Sequence, residues 1–397
     1  MAVEREYMAA PRDHSQPGKP PVLVIVVNVA WFFLMHRLSL AQAARERGYD
    51  VHIVCGVGEG QEAVRREGFT FHAIALRRNA LSPMSDLLGT LQLYRLYRRL
   101  RPALVHHVTL KPILYGSLAA RAAAVPAVVN AFAGLGYTFA SFGLGAALRR
   151  GILVRALAVS MAHKNSRVLF ENSDDQELFR RLGCVSPEQS RVIPGVGVDL
   201  EEFTVRPLPA KRVRVMLAGR MLREKGVEYF VAAARLLRQR NIAVDLVLTG
   251  KPDPENPGSV TREQLQAWAD EGVVRWEGFR NDMGEAIAAS HIICLPTYYR
   301  EGVPRILLEA AAAGRAVVAT DMPGCRDIVR PGQNGCLVPT HDAEALARAV
   351  QSLVEDPEGC RIMGLRGRSL VEAEFSLDIV LRRTFDLYRE LLGPCAR

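Results

Sequence analysis

Two glutamates near the end of the chain are spaced so that one ligand could contact both. Glu301 and Glu309 lie eight positions apart in the stretch REGVPRILLEAAAAGRAVVAT, on either side of a predicted helix start. The residues Gly302, Val303 and Pro304 suit such a start, because proline is tolerated in the first turn and presets φ. The free N–H groups of that turn attract an anion such as phosphate.

The second glutamate lies inside an otherwise apolar helix. Glu309 follows Leu307 and Leu308 and precedes four alanines, where a carboxylate is costly unless hydrogen-bond donors meet it. The two hydroxyls of a ribose would be such donors, and a salt bridge within the helix is the simpler alternative. We therefore expect a binding site here, with a phosphate at the helix start, which includes Arg305, and a ribose at Glu309.

An earlier loop adds two cations. In AGRMLREKGVEYF, Gly219 lets the backbone turn closely after a strand, and Arg220 and Lys225 lie in the loop that leads to the next helix. Two cations at the end of a strand can hold a diphosphate and neutralise the charge that develops as it leaves. The alternative is that both are solvated loop charges.

The elements that must position these residues follow a regular alternation. Strands rich in β-branched residues alternate with amphipathic helices, which is typical of parallel sheets covered on both faces. The alternation pauses where Pro and Gly cluster and then restarts. We therefore predict two doubly wound α/β domains, with ligands at the carboxyl ends of their strands and in the cleft between them. The predicted segments are a disordered leader (1–20), the first domain (21–194), a hinge (195–210), the second domain (211–374) and a final helix that crosses back to the first domain (375–397).

Composition supports two folded domains and locates the basic charge. The chain has 397 residues and a formal net charge of +9. Residues 1–200 hold 24 Lys and Arg against 15 Asp and Glu, whereas residues 201–397 hold 27 of each kind. The basic first half suits anionic lipid or phosphorylated substrates. No aromatic-interleaved strand or recognition module accompanies it, so we do not expect a nucleic-acid partner.

The two charged motifs together resemble the donor site of retaining glycosyltransferases of family 4. Those enzymes have the GT-B fold, in which two Rossmann-like domains face each other across a cleft. The Glu-x7-Glu motif of that family is matched by Glu301 and Glu309. Its Gly-Arg…Glu-Lys-Gly loop is matched by Gly219, Arg220, Glu224, Lys225 and Gly226. The likeness runs from Val22 to the last helix.

The resemblance implies a role for each of these residues. Arg220 and Lys225 would stabilise the leaving diphosphate, Glu301 would position hydroxyls of the donor sugar, and Glu309 would hold the ribose. The donor would be a nucleotide sugar, with UDP as the expected nucleotide. The chain has no D-x-D element, so we expect neither a metal nor another cofactor.

The first domain resembles bacterial enzymes that extend polyprenyl-diphosphate-linked sugars for surface polysaccharides or glycoproteins. The elements Lys111-Pro112…Tyr115-Gly116 and Gly134-Leu135-Gly136 carry this likeness. It implies a lipid-linked sugar acceptor and a cytoplasmic enzyme at the inner face of the cell membrane. The segment from Tyr137 to His163, with three arginines among apolar residues, could lie on an anionic membrane surface. An interior helix with basic ends is the alternative.

Several positions depart from the family pattern. Asn28 and a bulky segment stand where many relatives have a Gly-Gly loop, and Asn130 stands where many have a histidine. Arg326 and Asp327, in DMPGCRDIV, replace a commoner Gly-Gly-x-x-Glu, so we expect them to influence the choice of donor sugar.

Candidates for substrate binding in the first domain are Asn28, Lys111, His107 and Gly134. His36, His106 and His107 lie near predicted strand ends, where one could orient an acceptor; a structural role is the simpler alternative for each. Two other functions with the same fold stay open: a nucleotide-sugar epimerase, and a non-catalytic nucleotide-sugar-binding subunit.

Overall fold

The computed structural model describes residues 19–76, 82–135 and 144–393, without the side chains of residues 144–147. Nearly all of the predicted leader, Gly136 and the beginning of the Tyr137–His163 segment lie outside these residues. The chain divides into two compact units: the first comprises the described residues up to Val196 and from Leu381 onward, and the second is Gly197–Val380.

The first unit is built on a seven-stranded sheet. Its strands are β1 (Val22–Val27), β2 (Asp50–Gly56), β3 (Thr70–Ile74), β4 (Leu104–Val108), β5 (Ala127–Phe132), β6 (Ser166–Phe170) and β7 (Ser190–Val192). Every pairing is parallel and the order is β3-β2-β1-β4-β5-β6-β7. The chain reverses its direction of travel across the sheet between β1 and β4. The carboxyl ends of these two strands therefore form a topological switch point, where ligands bind in open α/β sheets.

Helices cover this sheet. They are α1 (Ala30–His36), α2 (Leu38–Glu46), α3 (Gln61–Arg66), α4 (Pro83–Leu100), α5 (Ser117–Ala122), α6 (Leu144–Met161) and α7 (Ser173–Arg181). A π-helical turn, Pro112–Gly116, leads into α5. Val128 and Phe132 lie four positions apart on β5 and so point to one face. Val128 packs with α4 and α5, and Phe132 packs with α6. These three helices therefore form one layer on the same side of the sheet.

The second unit repeats the scheme with six parallel strands in the order β10-β9-β8-β11-β12-β13. The strands are β8 (Val213–Ala218), β9 (Val244–Thr249), β10 (Arg275–Trp276), β11 (Ile292–Leu295), β12 (Ala316–Thr320) and β13 (Gly335–Val338). The helices are α8 (Val227–Gln239), α9 (Arg262–Asp270), α10 (Met283–Ala288), α11 (Arg305–Ala312), α12 (Cys325–Ile328), α13 (Ala343–Glu355), α14 (Pro357–Glu374) and α15 (Leu377–Leu392). The prediction of two doubly wound α/β domains is confirmed.

Two local details of the helices in the first unit differ from what residue types alone favour; serine, for example, favours helix N-caps. Ser85 is not the N-cap of α4: the helix begins at Pro83, and the Ser85 hydroxyl donates instead to the Ala75 carbonyl at 2.8 Å. A separate helix, α1, precedes α2. The break between α1 and α2 falls at Arg37, whose φ and ψ (−135° and 0°) leave the helical region.

The two segments in which the chain passes between the units pair with each other. Val198 N donates to the Phe375 carbonyl at 3.0 Å, and Leu377 N donates to the Val198 carbonyl at 2.9 Å. Gly197 has φ +73°, and a Cβ there would lie 2.7 Å from the Leu377 Cα. Because the second unit begins at Gly197, most of the segment 195–210 expected as a hinge belongs to that unit.

The last part of α15 belongs to the first unit. The Tyr388 hydroxyl lies 2.6 Å from the His106 Nδ1, and the Asn165 side chain donates to the Leu391 carbonyl at 2.8 Å. Within the described ranges, no helix is long and apolar enough to cross a membrane.

A buried arginine holds the beginning of the second unit in place. Arg315 is only 1% exposed, and its guanidinium donates to backbone carbonyls of two separate segments. The acceptors are Arg206 (2.8 Å), Ala288 (2.9 Å), Ile287 (3.3 Å) and Pro207 (3.4 Å). One side chain thus ties residues 206–207 to the end of α10.

Replacing this arginine tests that role. We expect Arg315→Ala to lower the free energy of unfolding of the second unit by about 3 kcal/mol, because four carbonyls lose a charged donor. Urea unfolding followed by the fluorescence of Trp268 and Trp276, both in this unit, measures the change. Arg348 is an exposed arginine that pairs with Glu344 one helical turn away, so Arg348→Ala should cost less than about 0.5 kcal/mol. Equal losses in the two variants would contradict the assignment.

Candidate active site

Three loops meet at the carboxyl edge of the second sheet, because they follow the neighbouring strands β8, β11 and β12. Two glycines allow their close approach. A Cβ on Gly226 (φ +77°) would lie 2.0 Å from the Pro296 carbonyl oxygen, and one on Gly324 (φ +79°) would lie 1.5 Å from that of Gly302. Neither position accepts another residue without displacing a backbone, so the sequence fixes how the loops fit together.

The centre of this edge is an ion pair between two predicted site residues. The Lys225 Nζ lies 2.5 Å from the Glu301 Oε2, and the two side chains are only 18% and 13% exposed. The buried thiol of Cys325 is close enough to both for their charges to act on it, and burial raises the pKa of this thiol. The loop after β8 and the loop after β11 therefore meet through opposite charges in a largely desolvated position.

The second predicted cation is held by a residue that the sequence analysis missed. The Arg220 Nη1 donates to the Asp253 Oδ2 at 2.7 Å. Asp253 lies in the loop after β9, which runs alongside the loop after β8 because Met221 N donates to the Lys251 carbonyl at 3.0 Å. Its place just beyond the end of a predicted strand, in LTGKPD, was the signal that could have identified it.

Helix α11 begins later than predicted. Its first residue is Arg305, Pro304 is the N-cap, and Leu307 N already donates to the Pro304 carbonyl at 3.0 Å. The N–H groups that precede the intrahelical bonds are therefore those of Arg305 and Ile306, not the longer run from Val303. Gly302 and Val303 belong to the loop that leads to this helix.

Glu309 lies one turn inside α11 and is 6% exposed. The Arg305 Nε donates to its Oε1 at 2.6 Å, which is the salt bridge considered as the simpler alternative. Burial raises the pKa of Glu309 to about 7; Arg305 opposes this shift and Glu202 adds to it. Ionising Glu309 in this buried position therefore costs free energy. Further hydrogen-bond donors to its carboxylate would favour the charged form.

Arg326 lies on α12, a helix that begins directly after Gly324. Gly324 is the glycine that lies against the Gly302 carbonyl. Its guanidinium donates to the carboxylate and, at 3.3 Å, to the carbonyl of Asp321. The side chain is 42% exposed. This places Arg326 two residues from Gly324 and beside the Glu301 loop, and its expected effect on donor choice stays a prediction.

In the first unit, Lys111 belongs to a buried polar cluster. Its Nζ lies 2.9 and 3.2 Å from the two carboxylate oxygens of Asp86, and the Tyr115 hydroxyl donates to the same carboxylate at 3.0 Å. Asp86 is 2% exposed. Asp86 was not predicted as part of a site, because its partner lies 25 residues away. Gly134, with φ +83°, makes the turn after β5.

His107 lies in the interior of the first unit. Its Nε2 is 3.0 Å from the Tyr97 hydroxyl and its Nδ1 is 2.9 Å from the Asn130 Oδ1, which also accepts from the Ser117 hydroxyl at 2.9 Å. Burial lowers the pKa of His107 to about 4. A Cβ on Gly116 would lie 2.5 Å from the ring. The geometry therefore gives His107 a structural role rather than the substrate contact expected from the sequence.

The other two histidines also have protein neighbours. The His106 Nδ1 lies beside Tyr388, and burial lowers the pKa of His106 well below its usual value. The His36 ring lies 4.3 Å from that of Phe32, measured between centroids.

Two polar side chains at the switch point of the first sheet lack a hydrogen-bond partner in the described structure. They are the Asn28 Oδ1, after β1, and the Thr109 Oγ1, after β4. Thr109 has φ +73°, which is rare for a β-branched residue and marks stored strain. Asn28 was predicted as a binding residue. Thr109 was missed, although its position directly after the VHHV strand was a signal.

Each of the two sheets lies largely in a segment that matches a glycosyltransferase family model. Residues 23–171 match the family model described as Glycosyl transferase 4-like, and residues 212–356 match the model described as Glycosyl transferases group 1. The two matches correspond to the two sheets. In the described residues, no cluster of three or more His, Cys, Asp or Glu side chains could hold a metal ion.

Two curated relatives are similar over almost the whole chain. One is the N,N'-diacetylbacillosaminyl-diphospho-undecaprenol alpha-1,3-N-acetylgalactosaminyltransferase of Campylobacter jejuni, 26% identical over 371 residues that cover 90% of this chain and 95% of the relative. The other is the UDP-Gal:alpha-D-GlcNAc-diphosphoundecaprenol alpha-1,3-galactosyltransferase of Escherichia coli, 24% identical over 87% of this chain and 90% of the relative.

The fold also matches solved structures. Anabaena HepE in complex with UDP superposes with a TM-score of 0.77 over 93% of this chain and 100% of that one, at 18% identity. Sucrose-phosphate synthase from Thermosynechococcus elongatus gives the same TM-score at 20% identity, over 94% of this chain and 99% of that one. The predicted GT-B fold of two Rossmann-like domains is thereby confirmed.

The raised pKa of Glu309 predicts a pH dependence of stability. Between its ordinary value of 4.5 and about 7, the folded chain binds more protons than the unfolded chain. The contribution of Glu309 to stability is therefore complete below pH 4.5 and is lost as the pH rises through 7. We expect a loss of about 3 kcal/mol across this window. Glu309→Gln should remove it in urea unfolding at pH 5 to 8.

A matched control is available in α14. Glu372 also accepts from an arginine four residues earlier (Arg368, 2.6 Å), but its side chain is 49% exposed. Glu372→Gln should leave the pH trend of the wild-type chain in place. A trend that persists in Glu309→Gln would show that another group causes it.

Proposed function

The chain belongs to the group 1, family 4-like glycosyltransferases, and from that premise we propose that it is a retaining enzyme. It transfers a hexose or N-acetylhexosamine from a nucleotide sugar, a UDP-sugar, to a polyprenyl-diphosphate-linked sugar during assembly of a surface polysaccharide or glycoprotein glycan. The observation that carries this proposal is the contact between Lys225 and Glu301, because it brings the two sequence motifs of a donor site to one point.

The donor diphosphate would bind where the positive groups lie. Arg220 and Lys225 are on the loop after β8, and the first N–H groups of α11 are beside the Glu301 loop. A diphosphate would exchange with the carboxylates that now hold the two cations, Asp253 and Glu301. Charge develops on the diphosphate as the bond to the sugar breaks, so these cations would lower the barrier.

Glu301, once released from Lys225, would accept hydroxyl donors of the sugar. The bond from the acceptor oxygen to the sugar C1 would form on the face from which the diphosphate leaves, and the acceptor proton would pass to the leaving diphosphate. No second carboxylate is needed for this step, unlike glycoside hydrolysis. Arg326, two residues after Gly324, would contact the sugar side of the site and influence donor choice.

Glu309 would hold the ribose. Two hydroxyl donors from one ribose would offset the burial that raises the pKa of this carboxyl, in the way that Arg305 does in part. Nucleotide binding and ionisation of Glu309 would therefore favour each other.

The acceptor would bind to the first unit, at the switch point of its sheet. Asn28 and Gly134 flank the carboxyl ends of β1 and β5, and Lys111 follows β4 with a charge suited to the acceptor diphosphate. Both curated relatives have names that specify diphospho-undecaprenol-linked sugars, which supports a lipid-linked acceptor here. Such an enzyme would work in the cytoplasm at the inner face of the membrane, in peripheral contact with anionic lipid through α6.

A transfer assay tests the function as a whole. The purified chain is incubated with a set of labelled UDP- and GDP-sugars and a polyprenyl-diphosphate-linked sugar, and label is counted in the organic phase. Transfer from one UDP-sugar, with the anomeric configuration retained in the product by NMR, is the expected result. Inversion at C2 of a free UDP-sugar would instead indicate the epimerase, and UDP binding without any transfer would indicate the non-catalytic subunit.

Removing the cations tests the site. We expect Arg220→Ala and Lys225→Ala each to lower turnover by about 10²-fold, a typical loss for one charge partner of a transition state. Glu309→Ala should mainly weaken UDP binding, measured by calorimetry. Arg223 lies in the same loop but pairs with Glu228 at the surface, so Arg223→Ala should keep near-wild-type turnover. Wild-type turnover in both Arg220→Ala and Lys225→Ala would refute the diphosphate assignment.

A further inference from the structure

Helix α4 presents an apolar stripe to solvent. Met84, Leu87, Leu88 and Leu91 are between 41% and 78% exposed. Their spacing of i, i+3, i+4 and i+7 places them on one side of the helix. The opposite side of α4 packs on the sheet through Leu93, Leu96 and Tyr97. The exposed apolar stripe of α4 is therefore not part of the core.

Helix α6 presents a similar stripe. Leu148, Ile152 and Val159 are between 59% and 68% exposed, while Val154 and Leu157 pack in the core. Spacings of four and eleven residues again give one side of the helix. Because α4, α5 and α6 form one layer on the sheet, both stripes belong to the outer surface of that layer.

The charges of this layer are almost all of one sign. Helices α4, α5 and α6 together contain seven arginines and one acidic residue, Asp86. Asp86 is buried against Lys111 and adds nothing to the outer surface. The exposed arginines lie with the stripes: Arg95 and Arg98 continue the side of α4 that carries Met84, and Arg155 lies between Ile152 and Val159.

Arg121 lies between the two stripes. It is the exposed arginine of α5, and its Nη1 donates to the Val159 carbonyl at 2.8 Å. The exposed side chains of α4, α5 and α6 are called the docking face below. It combines two apolar ridges with a cationic rim.

We propose that the docking face binds the surface of an anionic lipid bilayer, with the apolar half of α4 inserted among the headgroups. Apolar side chains that enter the interface and arginines that remain at headgroup level are the two components of interfacial binding. A partner of neutral or positive charge would not match the seven arginines. A second copy of the chain would bring the same positive charge to this face, and like charges oppose such contact.

This inference rests on the proposed function. It also relates the exposed side of α4 to the proposed acceptor site at Lys111. Asp86 lies between Met84 and Leu87 in sequence and turns inward to hold Lys111. The proposed diphosphate-binding lysine is therefore attached directly behind the apolar ridge. A lipid-linked acceptor would keep its chain in the bilayer while its diphosphate reached Lys111.

Vesicle flotation with the full chain tests the proposal. The vesicles consist of phosphatidylcholine with or without phosphatidylglycerol and contain neither donor nor acceptor. We expect binding that requires phosphatidylglycerol and weakens as salt is added. Replacing an arginine by Gln removes the attraction of one positive charge to the anionic surface. Arg95→Gln/Arg98→Gln/Arg99→Gln should therefore weaken binding on the order of 100-fold. Leu87→Gln/Leu91→Gln should weaken it about tenfold or more.

Two sets of control variants match these changes elsewhere on the surface. Arg238, Arg348 and Arg361 are exposed arginines of the second unit, and Leu182 and Leu365 are exposed leucines outside the docking face. Their substitution by Gln should leave vesicle binding unchanged. Controls that lose as much binding as the docking-face variants would overturn the proposal, as would binding that ignores phosphatidylglycerol.

Sedimentation equilibrium addresses the other occupant. A wild-type dimer that Leu87→Gln/Leu91→Gln converts to monomers, without vesicle binding, would assign the face to a second copy and overturn the lipid assignment. Transfer to a short-chain, water-dispersed acceptor separates docking from catalysis. If the proposal holds, the docking-face variants keep that activity and lose transfer to a long-chain acceptor held in vesicles.

Discussion

The ion pair between Lys225 and Glu301 is the interaction on which the rest of the site depends. Two largely buried charges of opposite sign stabilise each other only at close range and in fixed geometry. That requirement explains the tight packing of the loops around them. Gly226 touches the Pro296 carbonyl and Gly324 touches the Gly302 carbonyl, so the loops approach as closely as backbones can, and the strand ends of one sheet set their positions.

The same principle extends to two further ion pairs near this edge of the second sheet. Arg220 is held by Asp253, Arg305 is held by Glu309, and each carboxylate is more buried than its cation. A charge that is already desolvated and paired needs little reorganisation when a ligand of the same sign replaces its partner. In the proposed site, these ion pairs would keep the cations oriented for a diphosphate.

Strands and helices could be predicted from the sequence better than the contacts between side chains that are distant along the chain. Periodicity located the strands of both sheets except the short β7, because strands buried on both faces leave a long apolar pattern. The resemblance of the two motifs to a family donor site also placed Lys225 and Glu301 together, and the two side chains do form an ion pair. Asp86 escaped notice because nothing in the local sequence reveals a partner 25 residues away. For Asp253 the local sequence shows only its place beyond a strand end, and not its partner 33 residues away. Serine favours helix N-caps, yet the Ser85 hydroxyl donates to the Ala75 carbonyl. His107 was a binding candidate because it lies near a predicted strand end, but it is enclosed by Tyr97, Asn130 and Gly116.

The two units use polar groups in opposite ways. In the second unit, Arg220, Lys225, Asp253 and Glu301 lie at the strand ends and form two ion pairs. In the first unit the interior polar network around His107 is complete at the ring, and the neighbouring positive charge lies on the outer surface of α4, α5 and α6. A soluble nucleotide needs a compact charged pocket, whereas an acceptor fixed in a bilayer needs a surface that brings the protein to it. Under the proposed function, that difference accounts for the uneven charge of the two halves of the chain.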